Sequence, residues 1–481
     1  KAVVGMDEAL LKAVDANRVA LQQFVNQGAD LREKHLKKAL TDLEAMEDNF
    51  IGSLKKAAAA AGAQASTQWA PILEKLQAGG TLSSNGGGLA AAAAVTNNGA
   101  LALTGGGDES IASMNGTGTT SLSGGSILTL NTGVSNINGV ISGAGGLTVA
   151  GGTTNLGAVN TYSGATTVNS GGTLNVLAAG AIAGASTVNA GGIMTNAGTV
   201  SDVSNAGSFT NSGTAGELVN TGAGFGSNTG TLAGLVHNST GTFDNAGAVN
   251  GGTSISNGVV NLNAGSNLSD TDTVSVDGGQ LNVNTAETIG ALTGSGGIIG
   301  LNAALTTGGN NTSTSVSSVI QGTGSLTLVG TGTMTLTGLN TFTGLTTVNS
   351  GTLNTTGQLL GGLTNNATTN ASGVLNGPIS NTGQLTVAGA LTGNGALVNS
   401  GTLDVIAGSF TGLTSVTNTG NINVTGQTLG SNLIHNGGTV TLTGGTIGGT
   451  TNIAGGATLT ALGASTLGGA TVNGGVINLA Y

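Results

Sequence analysis

The chain has 481 residues, 91 of them Gly and 2 Pro, with aromatics at 2% and charged residues at 6%, where an ordinary domain carries about 25% charged residues. All ten Lys and Arg lie between Lys1 and Lys75 beside ten of the twenty acids, so the net charge of −10 belongs to residues 76–481. A region without a cation has nothing to set against phosphate, which argues against nucleic acid and against anionic membrane surfaces as partners. Disorder is argued against as well, because apolar residues reach 38%, are regularly spaced, and the mean hydropathy is positive.

Residues 7–77 read as amphipathic helix. Leu36, Leu43 and Phe50 recur every seven positions, and Leu10, Val14, Leu21, Phe24 and Leu31 continue the stripe upstream. Glu33, Lys37, Lys38, Asp42 and Glu44 fall on other faces, as a helix with one buried side requires. Gly28 and Gly62 are breaks, and Pro71 sits near the start of a short last helix. Residues 1–78 are therefore expected to form a helical module, a coiled coil or hairpin. Its stripe must bury itself against a second helix, a second chain or the end of the next domain. The following "GGTLSSNGGGLAAAAA" (79–94) reads as a linker of Gly and small residues.

From residue 95 onwards the period is two. "SILTLN" (126–131), "GTMTLTG" (332–338), "GQLTVAG" (383–389) and "GTVTLTG" (438–444) alternate apolar residues with Thr or Asn, the signature of short strands with one buried face. Asn-x-Gly recurs at Asn189, Asn196, Asn205, Asn211, Asn220, Asn228 and Asn245, mostly six to ten residues apart. Units too small for a core of their own, repeated at this spacing, indicate a solenoid. A parallel β-helix explains the alphabet: aliphatic side chains stack inside, Thr covers the outside, Asn forms amide ladders and Gly takes corners with positive φ. It also explains the missing charge, because like charges would stack about 4.8 Å apart. At roughly 20 residues per coil, 95–481 makes one continuous β-helix of about 20 coils, on the order of 100 Å long, with Val168, Leu174, Val348 and Leu353 inward.

"GAGGLTVAGG…NTYSGATTVNSGGTLNV" (143–176) and "GTGSLTLVGTGTMTLTGLNTFTGLTTVNSGTLN" (322–354) repeat one text about 180 residues apart, preceded by "VISGAGGL" and "VIQGTGSL". As an ordered series, with "ETIGALTGSGGIIGLN" (287–302), they resemble the passenger-associated repeat of bacterial autotransporters. The resemblance implies a right-handed parallel β-helix, surface-exposed or secreted from a Gram-negative bacterium, acting as a structural or adhesive stalk without catalytic residues. The chain departs from that family's plan in three ways. This stretch shows no signal peptide and no region with the alternating aromatic strands of an outer-membrane barrel, and the N-terminal helices are atypical. In those helices the Ala-rich stretch and "QWAPILEKLQAGG" (68–80) resemble phasin-type granule coats, which implies an intracellular assembly role as an alternative.

Site chemistry is sparse. There is no Cys, so disulfides and thiolate metal sites are excluded. His35, His237 and His435 are the only histidines; "LVHNSTG" and "LIHNGGT" place the last two at repeat-equivalent turns. Asp270, Asp272 and Asp277 supply oxygens of the kind Ca²⁺ takes but lack the tight spacing of a strong site. A β-helical enzyme acting on glycans would want clustered acids with a cation beside them. No catalytic, cofactor-binding or metal residue is assigned, and no cofactor is implied. The last strand pattern, "GGATVNGGVINLAY", lacks a polar cap. This end is expected to be covered by a barrel or by a neighbouring copy, which would make self-association through the helical module and the β-helix ends one partner interaction, beside a host or cell-surface ligand for an adhesive stalk.

Overall fold

The computed structural model describes residues 75–76 and 78–480, with Ala16, Arg18, Val19 and Thr41 before them. Apart from those four, the expected helical module lies outside the described residues until its C-terminal margin, and there the chain is already strand. Lys75–Leu76 pairs in parallel with Ala94–Asn97. The expected linker needs a correction too. Thr81–Ser84 pairs in parallel with Ala100–Leu103, and Leu82, Leu89 and Ala93 are buried. Gly and Ala here turn the corners of a first coil, which therefore begins ahead of residue 95.

The chain divides into two compact units, Lys1–Ser186 and Thr187–Tyr481. Each holds a stack of parallel β coils, and together they contain about 22 turns. In the first unit three strand columns run side by side. Leu82, Leu101, Thr120 and Ile141 stack in one, Leu128, Leu147 and Thr166 in the second, and Ser135, Thr154 and Leu174 in the third. The second unit repeats the scheme. One of its columns passes from Met194 through Phe209, Gly226 and Phe243 to Val260 and Leu281. Another passes from Met334 through Leu353, Thr369 and Leu385 to Leu403, Ile422, Val440 and Leu459.

Period-two alternation is what makes these columns. Strands such as Thr333–Leu336 and Thr439–Thr443 turn Thr outward and Met, Val or Leu inward. Each fully buried Leu or Val contributes about 1.5–3 kcal/mol, which a coil too small for its own core obtains only from its neighbours. Val168, Leu174, Val348 and Leu353 are at most 1% exposed, as their alternation predicts.

Candidate functional site

The most ordered chemistry in the molecule lies at the strand ends. Six of the seven Asn-x-Gly asparagines are buried, and Asn189 sits on an exposed turn. At Asn196, Asn205 and Asn228 the side-chain oxygen accepts from the Gly N–H two residues on, at 3.1–3.2 Å, closing the corner locally. The amide nitrogen donates to the next coil. Asn196 bonds Asn211, Asn211 bonds Asn228 and Asn228 bonds Asn245, each at 2.8 Å. Asn365, Asn381, Asn399 and Asn418 make a second ladder at 2.6–2.7 Å. Asn205 and Asn220 begin a third at 2.9 Å.

All three ladders donate toward higher residue numbers, so each needs an acceptor at its far end. His237 closes the short one: Asn220 Nδ2 lies 3.2 Å from His237 Nδ1, and His237 Nε2 lies 3.2 Å from the Gly241 carbonyl. An amide nitrogen only donates, so Nδ1 accepts and the proton sits on Nε2. His435 ends the Asn365 ladder in the same manner, with Asn418 at 3.2 Å and the Thr458 carbonyl at 3.0 Å. Both rings are 0% exposed. The two histidines are thus equivalent, as their sequence contexts suggest, but they lie in the strands Thr231–Asn245 and Leu433–His435 and not at turns, and both nitrogens of each are occupied. Burial holds the His237 pKa below its ordinary value, against the raising effect of the Gly241 carbonyl.

The Asn196 ladder ends on an acid. Asn245 donates to Ser266 Oγ at 2.9 Å, and Ser266 donates to Glu287 Oε2 at 3.0 Å. Burial raises the Glu287 pKa, opposed by the hydrogen bonds from Ser266 and from the Leu268 and Thr288 N–H groups. A second buried acid, Glu109, accepts from Ser84 Oγ and from the N–H groups of Gly88 and Leu89, at 2.9 and 3.1 Å for the latter two. It holds the loop after the strand Thr81–Ser84. Sequence reasoning passed over both acids. Their signal was parity: Glu109 alternates with Ile111, and Glu287 with Ile289, on the inward face.

Asp270, Asp272 and Asp277 are not brought together on a common ligand position. Asp272 accepts from Ser269 at 2.6 Å. Asp277 accepts from Ser275 at 2.5 Å and from Ser295 at 2.8 Å, and these hydroxyls hold its pKa below the ordinary carboxylate value. Among the described residues no group of three His, Asp or Glu could hold a metal ion; His35 lies outside them. Two other acids do share a surface. Asp202 and Glu217, both exposed and on successive coils, line a groove of about 430 Å³ with Ser254, Thr273 and Ser275. The Glu217 N–H donates to Asp202 Oδ1 at 2.8 Å.

The duplicated text folds alike at both sites. Gly143 and Gly322 take φ of 105° and 111°, and a Cβ on either would meet the backbone oxygen of Leu122 or Leu301 at 2.2 Å. Only Gly fits such a corner. Tyr162 and Phe342 fill equivalent interior positions at 0% exposure. The Tyr162 hydroxyl lies 2.5 Å from Thr166 Oγ1, whereas its counterpart Thr346 Oγ1 is buried without a hydrogen-bond partner.

Residues 1–109 match the model of a family of unknown function, DUF6781. The DUF6781 match takes in the expected helical module and the first coil, and it stops at the buried Glu109. No curated protein matches the chain, and no solved structure does.

Proposed function

We propose that this chain is a non-enzymatic structural or adhesive protein of the autotransporter-passenger type, a right-handed β-helix displayed at the surface of a Gram-negative bacterium or secreted from it. The observation that carries this reading is the equivalence of the two motif copies. The passenger-like text at Gly143–Val176 and Gly322–Asn354 occupies the same corner geometry each time, as a repeat serving the stalk itself would. The buried histidines and Glu287 support it as well, since their polar atoms are taken up by interior ladders.

The test is protease treatment and surface labelling of intact cells that make the protein. Surface display predicts labelling and cleavage without lysis; protection until lysis would refute it and favour the granule-type alternative. One observation favours a second reading, a glycan-active β-helix: the groove holding Asp202 and Glu217. A glycan-cleavage screen with Asp202→Asn and Glu217→Gln as controls decides between them, because only a catalytic groove would lose cleavage in both variants.

A further inference from the structure

One face of the second unit differs from the others. From Thr333–Leu336 to Thr458–Leu462, eight strands stack with corresponding residues in continuous register. Their outward positions make two columns, one running from Thr333 to Thr458 and the other from Thr335 to Thr460. Of these sixteen positions ten are Thr and four are Asn, and Gln384 and Asp404 complete the set. None is apolar, aromatic or cationic. The neighbouring face starts similarly, with Thr306, Thr327, Thr347 and Thr364 in line, but its column then carries Val398 and Ile434 at 53% and 40% exposure.

The array is stiff. Thr has a restricted χ1, and the longer polar side chains are tied along the stack. Asn370 bonds Asn354 at 2.8 Å, Gln384 and Asn423 both bond Asp404, at 3.1 and 2.7 Å, and Thr439 bonds Asn421 at 2.7 Å. Polar side chains, ten of them bearing a hydroxyl and a methyl, therefore repeat about every 4.8 Å between coils and about every 6.6 Å along each strand. Side-chain ladders of this kind also keep a sheet flat. A ligand that reads such a surface must repeat in two dimensions, carry no net charge, and both donate and accept hydrogen bonds. An anionic polymer would need cations here. A crystalline polysaccharide would be expected to stack its sugar rings on aromatic side chains, and the face has none.

We propose that this face binds ice, holding a layer of water in the spacing of the array and merging it with the crystal surface. Each contact is weak. Sixteen pre-ordered positions add up because little side-chain freedom remains to be lost on binding. The inference rests on this face alone and is independent of cell-surface display.

The test uses the full chain and measures its partition into slowly grown ice, together with inhibition of ice recrystallisation. The parent should enrich in the ice fraction. Thr386→Lys with Thr441→Lys should abolish enrichment, while Thr327→Lys on the neighbouring face should leave it intact; both variants should unfold at the parent's midpoint, since the sites face outward. If the double variant misfolds, Thr386→Gln with Thr441→Gln, which keeps the face uncharged, takes its place and should weaken enrichment. Exclusion of the parent from ice overturns the proposal. So does equal loss in Thr327→Lys, or sedimentation of the parent with cellulose or chitin but not with ice.

Discussion

Tyr162→Phe removes one oxygen from the interior and leaves Thr166 Oγ1, on a residue 0% exposed, without its 2.5 Å partner. A buried hydroxyl left unsatisfied costs about 1–3 kcal/mol, and the lost bond itself is worth about 0.5–1.5 kcal/mol net. The expected destabilisation is thus about 1–2 kcal/mol, or a factor of roughly 5–30 in a local opening equilibrium. The second motif copy supplies the converse experiment. Phe342→Tyr places a hydroxyl beside Thr346 Oγ1, which has no partner, and should be neutral or stabilising by up to about 1 kcal/mol. A stack of coils can open in parts, so the assay is amide hydrogen exchange in the strands Thr166–Val168 and Thr346–Val348. Protection should fall in the first strand for Tyr162→Phe and hold or rise in the second for Phe342→Tyr. A double-mutant cycle with Thr166→Val isolates the pair. If Tyr162→Phe costs the same with Thr166 replaced as with it present, the hydroxyls do not interact and the reasoning fails.

Leu174→Asp puts a carboxylate into an apolar column at 0% exposure and should cost several kcal/mol or leave the acid protonated; an unchanged melting curve would show that the position is not core. His237 has a lowered pKa, so its stabilising effect is complete above its ordinary value of 6.5 and is lost as pH falls through the depressed one. His237→Leu should remove that acid dependence and cost about 1–3 kcal/mol at neutral pH by orphaning the Asn220 amide, both read from denaturant unfolding across pH. Glu287 has the opposite sign. Its pKa is raised above 4.5, so its contribution is full below that value and declines as pH rises through the raised one, a slope that Glu287→Gln should flatten. Tyr162 is pushed up by burial; it should ionise in alkali only on unfolding, as an ultraviolet titration would record, and stability should fall as pH climbs past its ordinary value of 10.0.

Strand alternation, the inward set of Val168, Leu174, Val348 and Leu353, and the equivalence of His237 with His435 were all legible in the chain, because each depends on neighbours a few residues away. Tertiary structure decided the partners. Asn196 meets Asn211 fifteen residues on, while Asn211 meets Asn228 seventeen on, and corner lengths that vary from coil to coil hide such spacings from a linear reading. The composition of 79–94 fits a linker because Gly and Ala serve corners and tethers alike; only the pairing of Thr81–Ser84 with Ala100–Leu103 separates the two. Parity with Ile111 and Ile289 pointed Glu109 and Glu287 inward, but an acid is tolerated there only where other coils supply donors: Ser84, Gly88 and Leu89 for one, Ser266 and Leu268 for the other. Local sequence settles which way a side chain faces, because the strand period is two; what it faces depends on how far the chain travels before it comes round again.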